Sequence, residues 1–347
     1  MAKPTTSKPT VNLEQFVTDI LGTIERERER EIVARRFGLF DRKETLEQIG
    51  ELLSITRERV RQLEKVVVGR LRVAGVNLSH IPELQALFIE HLEKMGGAAR
   101  LSNLTAKLSG EPNRLDQARV AFIAELCPEI AVIPENDFFY HAVGVADAHD
   151  EKTMKNQINK LIEAIKKIGE PTSIEKIATA AGIADPKQAE ALASISKQLA
   201  TLNGRWGLIK WPMVNPKNIR DKIYVILKEQ GKQMHFNEIA SAIKKSDFKR
   251  KDVTTQAIHN ELIKDSRFVL IGRGIYALKE WGYQKGTVAD IIAKVLKEAG
   301  EPLHRDEIVK RVLKSRFVKE TTILLNLQGK SQFKRVAKAT YDVADAE

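Results

Sequence analysis

The chain has 347 residues, of which 43% are hydrophobic and 30% charged, a balance typical of folded globular domains. No unbroken apolar run exceeds five residues, as in Ile223 to Leu227, whereas a transmembrane helix needs about 20. Met1 to Thr10 has no apolar stretch, so we expect no secretory signal. The single cysteine, Cys127, excludes a disulfide within the chain and argues against a cysteine zinc site. We therefore expect a reduced, cytoplasmic protein without a membrane partner.

The basic excess is unevenly distributed. The formal net charge of the chain is +11, to which residues 215–347 contribute +10 and residues 76–150 contribute −6. Basic surfaces attract nucleic acids and other anionic partners, whereas an acidic segment is repelled by phosphates. Different segments are therefore expected to contact different partners, with residues 76–150 facing protein rather than DNA.

Residues 45–72 have the pattern of a helix-turn-helix. Thr45 and Gln48 have the spacing of a capping box, and after a three-residue turn Thr56 suits the N-cap of a second helix ending near Arg72. The apolar side chains of that second helix recur on one face. The opposite face presents Arg57, Glu58, Arg61, Gln62 and Lys65.

These residue types can read base edges in the major groove, because Arg pairs with guanine, Gln with adenine, and Glu accepts from the cytosine amino group. Helices rich in Arg and Glu are also common as solvated surface helices. From the pattern alone, both interpretations of this face remain open.

The order of residues within this segment adds to the pattern. Residues 28–72 resemble region four of primary-type bacterial sigma factors, through RFGL at 36–39, TLEQIG at 45–50 and TRERVRQLE at 56–64. The resemblance implies reading of a minus-35 promoter element and docking on the β flap of RNA polymerase. It places the base readers on Arg57, Glu58, Arg61 and Gln62, a phosphate contact on Thr45, and backbone-proximal positions on Arg59 and Lys65.

Two features depart from that family. Ser54 stands in the turn where the family usually has Gly, and a positive φ there would cost about 1 kcal/mol. Only about two dozen residues precede the resemblance, so we do not expect the sigma regions that bind and melt the minus-10 element. The chain is therefore not expected to be a complete sigma factor.

Residues 83–347 are predicted to contain four diverged copies of one module. Each copy opens with an amphipathic helix, followed by a glycine that fits a helix C-cap (Gly97, Gly169, Gly231 and Gly300). A second helix, a third helix and a two-strand hairpin come next, and the clearest hairpin is Phe268–Ile271 with Ile275–Leu278. This order predicts winged helices.

Copies three and four resemble the HARE-HTH family, the winged-helix module also found in the polymerase δ subunit. The resemblance rests on GKQMHFNEI at 231–239, GEPLHRDEI at 300–308 and IGRGIY at 271–276. It implies a DNA-binding or polymerase-associated module without deciding between them. His235 and His304 precede a helix in equivalent positions, so we expect them to be caps rather than metal ligands.

Secondary DNA contacts are also predicted in copy three. Lys249, Arg250 and Lys251 form either a solvated loop or a phosphate clamp ahead of a helix that displays Gln256. Arg273, at the tip of the hairpin, either enters a minor groove or remains in solvent.

Together these features predict a mainly α fold with small β-hairpin wings. The predicted order is a flexible tail at 1–10, the helix-turn-helix at 11–76, an acidic winged-helix-like domain at 83–148, a second at 152–214, and HARE-HTH-like domains at 216–284 and 286–347. We expect a transcription regulator that binds promoter-like double-stranded DNA and RNA polymerase core, and that is therefore nucleoid-associated. We expect it not to be an enzyme and to use no metal or cofactor. Two alternatives remain, namely a polymerase accessory factor that does not read sequence and a DNA-binding subunit of a DNA-modifying or restriction enzyme.

Overall fold

The computed structural model describes residues 11–78, 80–109, 113–146, 149–248, 250 and 252–344. It is mainly helical with small antiparallel sheets, which confirms the predicted fold class. Its contacts divide the chain into two compact units, Met1–Lys210 and Trp211–Glu347. The division into a tail and five domains stays a prediction. Within the described part of the chain, no helix is long and apolar enough to span a membrane.

The first unit begins with four helices, α1 (Leu13–Gly22), α2 (Glu27–Phe37), α3 (Leu46–Leu52) and α4 (Arg57–Ala74), and a 3-10 turn at Gly75–Asn77. Local chemistry determines these boundaries. The Asn12 side chain caps α1 by accepting from the Gln15 amide. Gly38 ends α2 at φ +70°, where a Cβ would lie 2.7 Å from the Lys43 backbone nitrogen.

Two modules complete the first unit. One comprises α5 (Ile81–Lys94), β1 (Ala98–Arg100), α6 (Leu101–Leu108), α7 (Arg114–Leu126), β2 (Ile130–Ile133) and β3 (Ala142–Val145), with sheet order β1-β3-β2. The other comprises α8 (Glu151–Ile168), α9 (Ile174–Ala181), α10 (Pro186–Ile195), β4 (Leu199–Leu202) and β5 (Arg205–Leu208). A β-bridge between Phe139 and Ser196 joins them.

The second unit repeats the same order twice. Its first module comprises α11 (Ile219–Gln230), β6 (Met234–His235), α12 (Phe236–Lys245), α13 (Thr255–Lys264), β7 (Phe268–Gly272) and β8 (Ile275–Leu278), followed by a 3-10 turn at Lys279–Trp281. The second comprises α14 (Val288–Ala299), β9 (Leu303–His304), α15 (Arg305–Ser315), α16 (Glu320–Gly329), β10 (Phe333–Ala337) and β11 (Thr340–Val343). In both, the short first strand pairs with the last strand of the hairpin.

The structure contains the clearest predicted hairpin and three of the four predicted glycine caps. The hairpin at 268–278 is confirmed, and Gly169, Gly231 and Gly300 each end a helix in the left-handed conformation. The Gly97 prediction is wrong, because α5 ends at the C-cap Met95 and Gly97 follows it, donating its amide to the Leu92 carbonyl at 2.8 Å. The two residues after this cap, Gly96 and Gly97, connect α5 to β1, which begins at Ala98.

The histidine prediction is confirmed. The His235 side chain accepts from the Asn237 amide at 3.3 Å, and the His304 side chain accepts from the Asp306 amide at the same distance. Each histidine is therefore the N-cap of the helix that follows it.

One hydrophobic core extends from α1 through α2 and α4 into α5–α7. Phe122 of α7 is fully buried, and its ring meets the Phe37 ring of α2 edge-on, with centroids 5.0 Å apart. The buried Arg119 guanidinium donates from Nε to the Leu39 carbonyl at 3.0 Å and from Nη2 to Glu14 at 2.6 Å. The acidic module 83–148 therefore packs directly against the helix-turn-helix segment.

Candidate nucleic-acid interface

The turn between α3 and α4 is held by backbone geometry. The Ile55 amide donates to the Gly50 carbonyl at 2.9 Å, and a Cβ at Gly50 would lie 2.7 Å from the Ile55 carbonyl oxygen, so this position requires glycine. Ser54 adopts φ +53°, so the condition under which serine is strained at this turn position is met. Ile32, Ile49 and Val60 are fully buried where α2, α3 and α4 meet.

Both helices begin with the predicted caps. The Thr45 hydroxyl accepts from the Gln48 amide while the Gln48 side chain accepts from the Thr45 amide, which completes a capping box on α3. The Thr56 hydroxyl accepts from the Arg59 amide at 3.2 Å and starts α4. These caps fix the first residue of each helix by satisfying amides of its first turn.

The face of α4 opposite its buried stripe is exposed to solvent. Val60, Val67 and Leu71 are buried, whereas the polar residues predicted to contact bases or backbone are all exposed: Arg57, Glu58, Arg59, Arg61, Gln62 and Lys65. The structure therefore brings together six of the predicted contact residues on one helix, with Thr45 exposed at the start of the neighbouring helix. Their roles in binding stay predictions.

The side chains on this face are paired with one another. Arg61 donates to Glu58 through both Nη2, at 2.6 Å, and Nε, at 2.9 Å. This pair lowers the pKa of the Glu58 carboxyl and raises the pKa of the Arg61 guanidinium. Gln62 Nε2 lies 3.5 Å from the same carboxylate. Since both charged side chains are more than half exposed, water screens the pair and it can readily exchange for contacts with bases.

Sequence reasoning missed the arginines that brace this arrangement. Arg28 of α2 donates to the Leu53 carbonyl in the turn. Arg36 contacts the Glu64 carboxylate of α4 at 3.2 Å and the Glu44 carbonyl at 3.3 Å. The alternation of Glu and Arg along residues 25–31, followed by Arg35 and Arg36, indicates ion pairs in this helix but does not specify their partners.

The secondary contact residues lie in the second unit. Lys249 and Lys251 lie outside the described residues. Arg250 is exposed with φ +56°, and its carbonyl accepts from the nearly buried Lys222 Nζ at 2.7 Å. Gln256 is exposed on α13, and its amide donates to Asn260 at 3.1 Å.

Arg273 is exposed in the two-residue turn between β7 and β8, at the tip of the hairpin as predicted. The proposed roles of Arg273 and Gln256 stay predictions.

The helix-turn-helix segment is similar to a known protein family. Residues 26–73 match the family model described as Sigma-70, region 4. The predicted resemblance of the N-terminal segment to that region is therefore confirmed. The resemblance of the C-terminal modules to HARE-HTH stays a prediction.

Individual relatives agree with this match. RNA polymerase sigma factor SigA from a Bacillus species is 43% identical over 61 residues, covering 17% of this chain and 16% of the relative. SigA1 from Synechococcus elongatus is 43% identical over 61 residues, covering 17% of this chain and 15% of the relative. RpoD from Helicobacter pylori is 50% identical over 48 residues, covering 13% and 7%. The chain thus spans about a sixth or less of the length of these sigma factors.

Proposed function

We propose that this protein is a sigma-factor-related transcription regulator that reads a minus-35-like promoter element through α4 and associates with RNA polymerase core. The observation that supports base reading best is the exposed set Arg57, Glu58, Arg61 and Gln62 at the start of α4, within the segment matching Sigma-70 region 4. A helix that presents such side chains from its first turns can enter the major groove.

The flanking residues supply complementary contacts in this proposal. Thr45 at the start of α3, and Arg59 and Lys65 on α4, contact backbone phosphates and set the register of α4 on the duplex. The lysines and arginines of the basic second unit, such as Arg250 and Arg273, add sequence-independent affinity that falls with salt. In this proposal Gln256 on α13 makes a secondary contact to DNA.

Fluorescence anisotropy of the full-length protein tests base reading. We expect a duplex with a minus-35-like hexamer to bind at least about tenfold more tightly than a shuffled duplex, the discrimination of one good bidentate contact. Arg61→Ala should abolish this preference. Arg205→Ala removes an exposed arginine on β5, outside the helix-turn-helix, and should leave the preference unchanged. Equal binding of both duplexes with the same steep salt slope would show that the isolated protein does not read sequence.

For polymerase association we propose docking on the β flap, as the sigma resemblance implies. The apolar residues Val33, Val67 and Leu71 are buried within the chain, so docking in this conformation must use the outer surface of the helices. Val66 and Val73 are exposed there, seven positions apart on one face of α4. Co-elution with polymerase core should be lost when the flap tip is deleted, and co-elution that persists would place docking elsewhere.

A further inference from the structure

A cleft of about 630 Å³ lies between the loop that joins α2 to α3 and the first winged module. The loop contributes Lys43, and the module contributes residues from β1, α7 and the segment before β3. The basic side chains that line it are Lys43, Arg100, Arg114 and His141. Three of these four come from the segment whose net charge is −6, so the basic lining cannot be anticipated from segment charge.

The carboxylates of the cleft are largely neutralised by partners of their own. Glu125 is ion-paired with Arg72, and Glu135 is ion-paired with Lys197 at 2.7 Å. Asp41 is the remaining acidic group in the lining. Within the residues that the structure describes, Lys43 and Arg114 have no ion-pair partner, so positive charge dominates the cleft.

Lys43 and His141 lie close enough for their positive charges to repel each other. Loss of hydration lowers the pKa of the Lys43 ammonium, and the nearby Arg36 lowers it further. Burial lowers the pKa of the His141 imidazole, and Lys43 adds repulsion. A bound anion relieves repulsion between neighbouring cationic groups, because it brings the opposite charge next to them.

Arg100 is held in place before any ligand arrives. Its guanidinium lies 3.8 Å from the centroid of the Tyr140 ring, and its Nε donates to the Ser194 carbonyl. The remaining N–H groups of a fixed guanidinium form a planar fork that matches the oxygens of a phosphate. Ser102 also lines the cleft and offers a hydroxyl.

We propose that this cleft binds a phosphate group, held by Lys43, Arg100 and Arg114. The phosphate belongs either to a duplex backbone or to a small phosphorylated compound. A second depression, lined by Arg61 and Lys65 of α4, adjoins the cleft, since Phe37 and Glu125 line both. The site does not depend on base reading by α4.

The test uses the full-length protein with two probes. Inorganic pyrophosphate is titrated by calorimetry at constant ionic strength, and a duplex without the hexamer is titrated by anisotropy. The cleft variant is Lys43→Ala with Arg114→Ala. The control, Lys107→Ala with Lys152→Ala, removes the same charge from exposed lysines that do not line the cleft. Circular dichroism verifies the fold of each variant. The pair Lys43→Gln with Arg114→Gln removes the same two charges but keeps more of each side chain than alanine does.

We expect the cleft variant to bind at least one probe about tenfold more weakly, while the control stays within about twofold. Loss confined to pyrophosphate identifies a small phosphorylated ligand as the source, and loss confined to the duplex identifies the backbone. If neither probe distinguishes the cleft variant from its control, the proposal is wrong. Because neither probe contains the hexamer, this outcome is separate from failure of the Arg61→Ala experiment.

Discussion

Arg119→Met should loosen the junction between α7 and the helix-turn-helix segment while leaving the second unit unaffected. The Arg119 side chain is 8% exposed and donates to the Leu39 carbonyl, 80 residues away in sequence. Methionine retains the packing of the aliphatic stem but removes every donor. The buried Leu39 carbonyl then loses its charged partner.

The expected loss in the free energy of local opening follows from the individual contacts of Arg119. A hydrogen bond from a charged donor contributes about 1.5–3 kcal/mol. The Glu14 side chain is 61% exposed, so its ion pair with Arg119 adds at most about 1 kcal/mol. Asp116 lies 3.5 Å from Arg119 and retains the Ser109 hydroxyl at 3.0 Å, so that contact adds little. We expect a loss of about 2–4 kcal/mol in the free energy of local opening.

Hydrogen exchange measured by mass spectrometry resolves this change by segment. Amides of α2 and α7 should exchange roughly 30 to 700 times faster, since each 1.4 kcal/mol corresponds to a factor of ten. Peptides from α14 to α16 belong to the other unit and serve as an internal control. Lys107→Met, an exposed substitution on α6, is the matched variant.

Coupling through Arg119 is absent if α2 and α7 exchange no faster in Arg119→Met than in Lys107→Met. It is also absent if α7 alone accelerates, because the bond from Arg119 to Leu39 should stabilise both segments together. Uniform acceleration across both units would point to global unfolding instead.

Three further predictions concern single sites. Ser54→Gly should raise the free energy of unfolding by about 0.5–1 kcal/mol, because glycine adopts the observed φ of +53° without strain; unchanged or lower stability in denaturant titrations would contradict this. Burial raises the pKa of the Cys127 thiol to about 12, so an aromatic disulfide reagent should leave it unlabelled at pH 8 until denaturant is added, and rapid native labelling would show an accessible thiolate. Burial lowers the pKa of His149 below its ordinary 6.5, so the unfolded chain binds the proton more readily and stability should fall as the pH drops below 6.5. His149→Asn should flatten that decline in melting temperature between pH 7.5 and 5.5, and an unchanged slope would assign it to other groups.

Sequence alone determined the local structure of the helix-turn-helix. Caps and periodicity act within a few residues, so Thr45, Thr56 and the buried stripe of α4 could be placed from their spacing. The repeated order of helices and hairpins was predictable for the same reason. The Gly97 prediction was wrong because a left-handed glycine can lie beyond the cap as well as next to it, and spacing does not distinguish these positions.

Tertiary structure alone decided which segments share a core and which charges remain unpaired. Phe37 and Phe122, or Arg119 and Leu39, are about 80 residues apart, and no local pattern specifies such partners. The cleft likewise assembles Lys43, Arg100, Arg114 and His141 from four separate elements. Net charge is a sum over a segment, whereas a binding site depends on which side chains face one another and which already have partners. Those relations arise only when packing brings distant residues together.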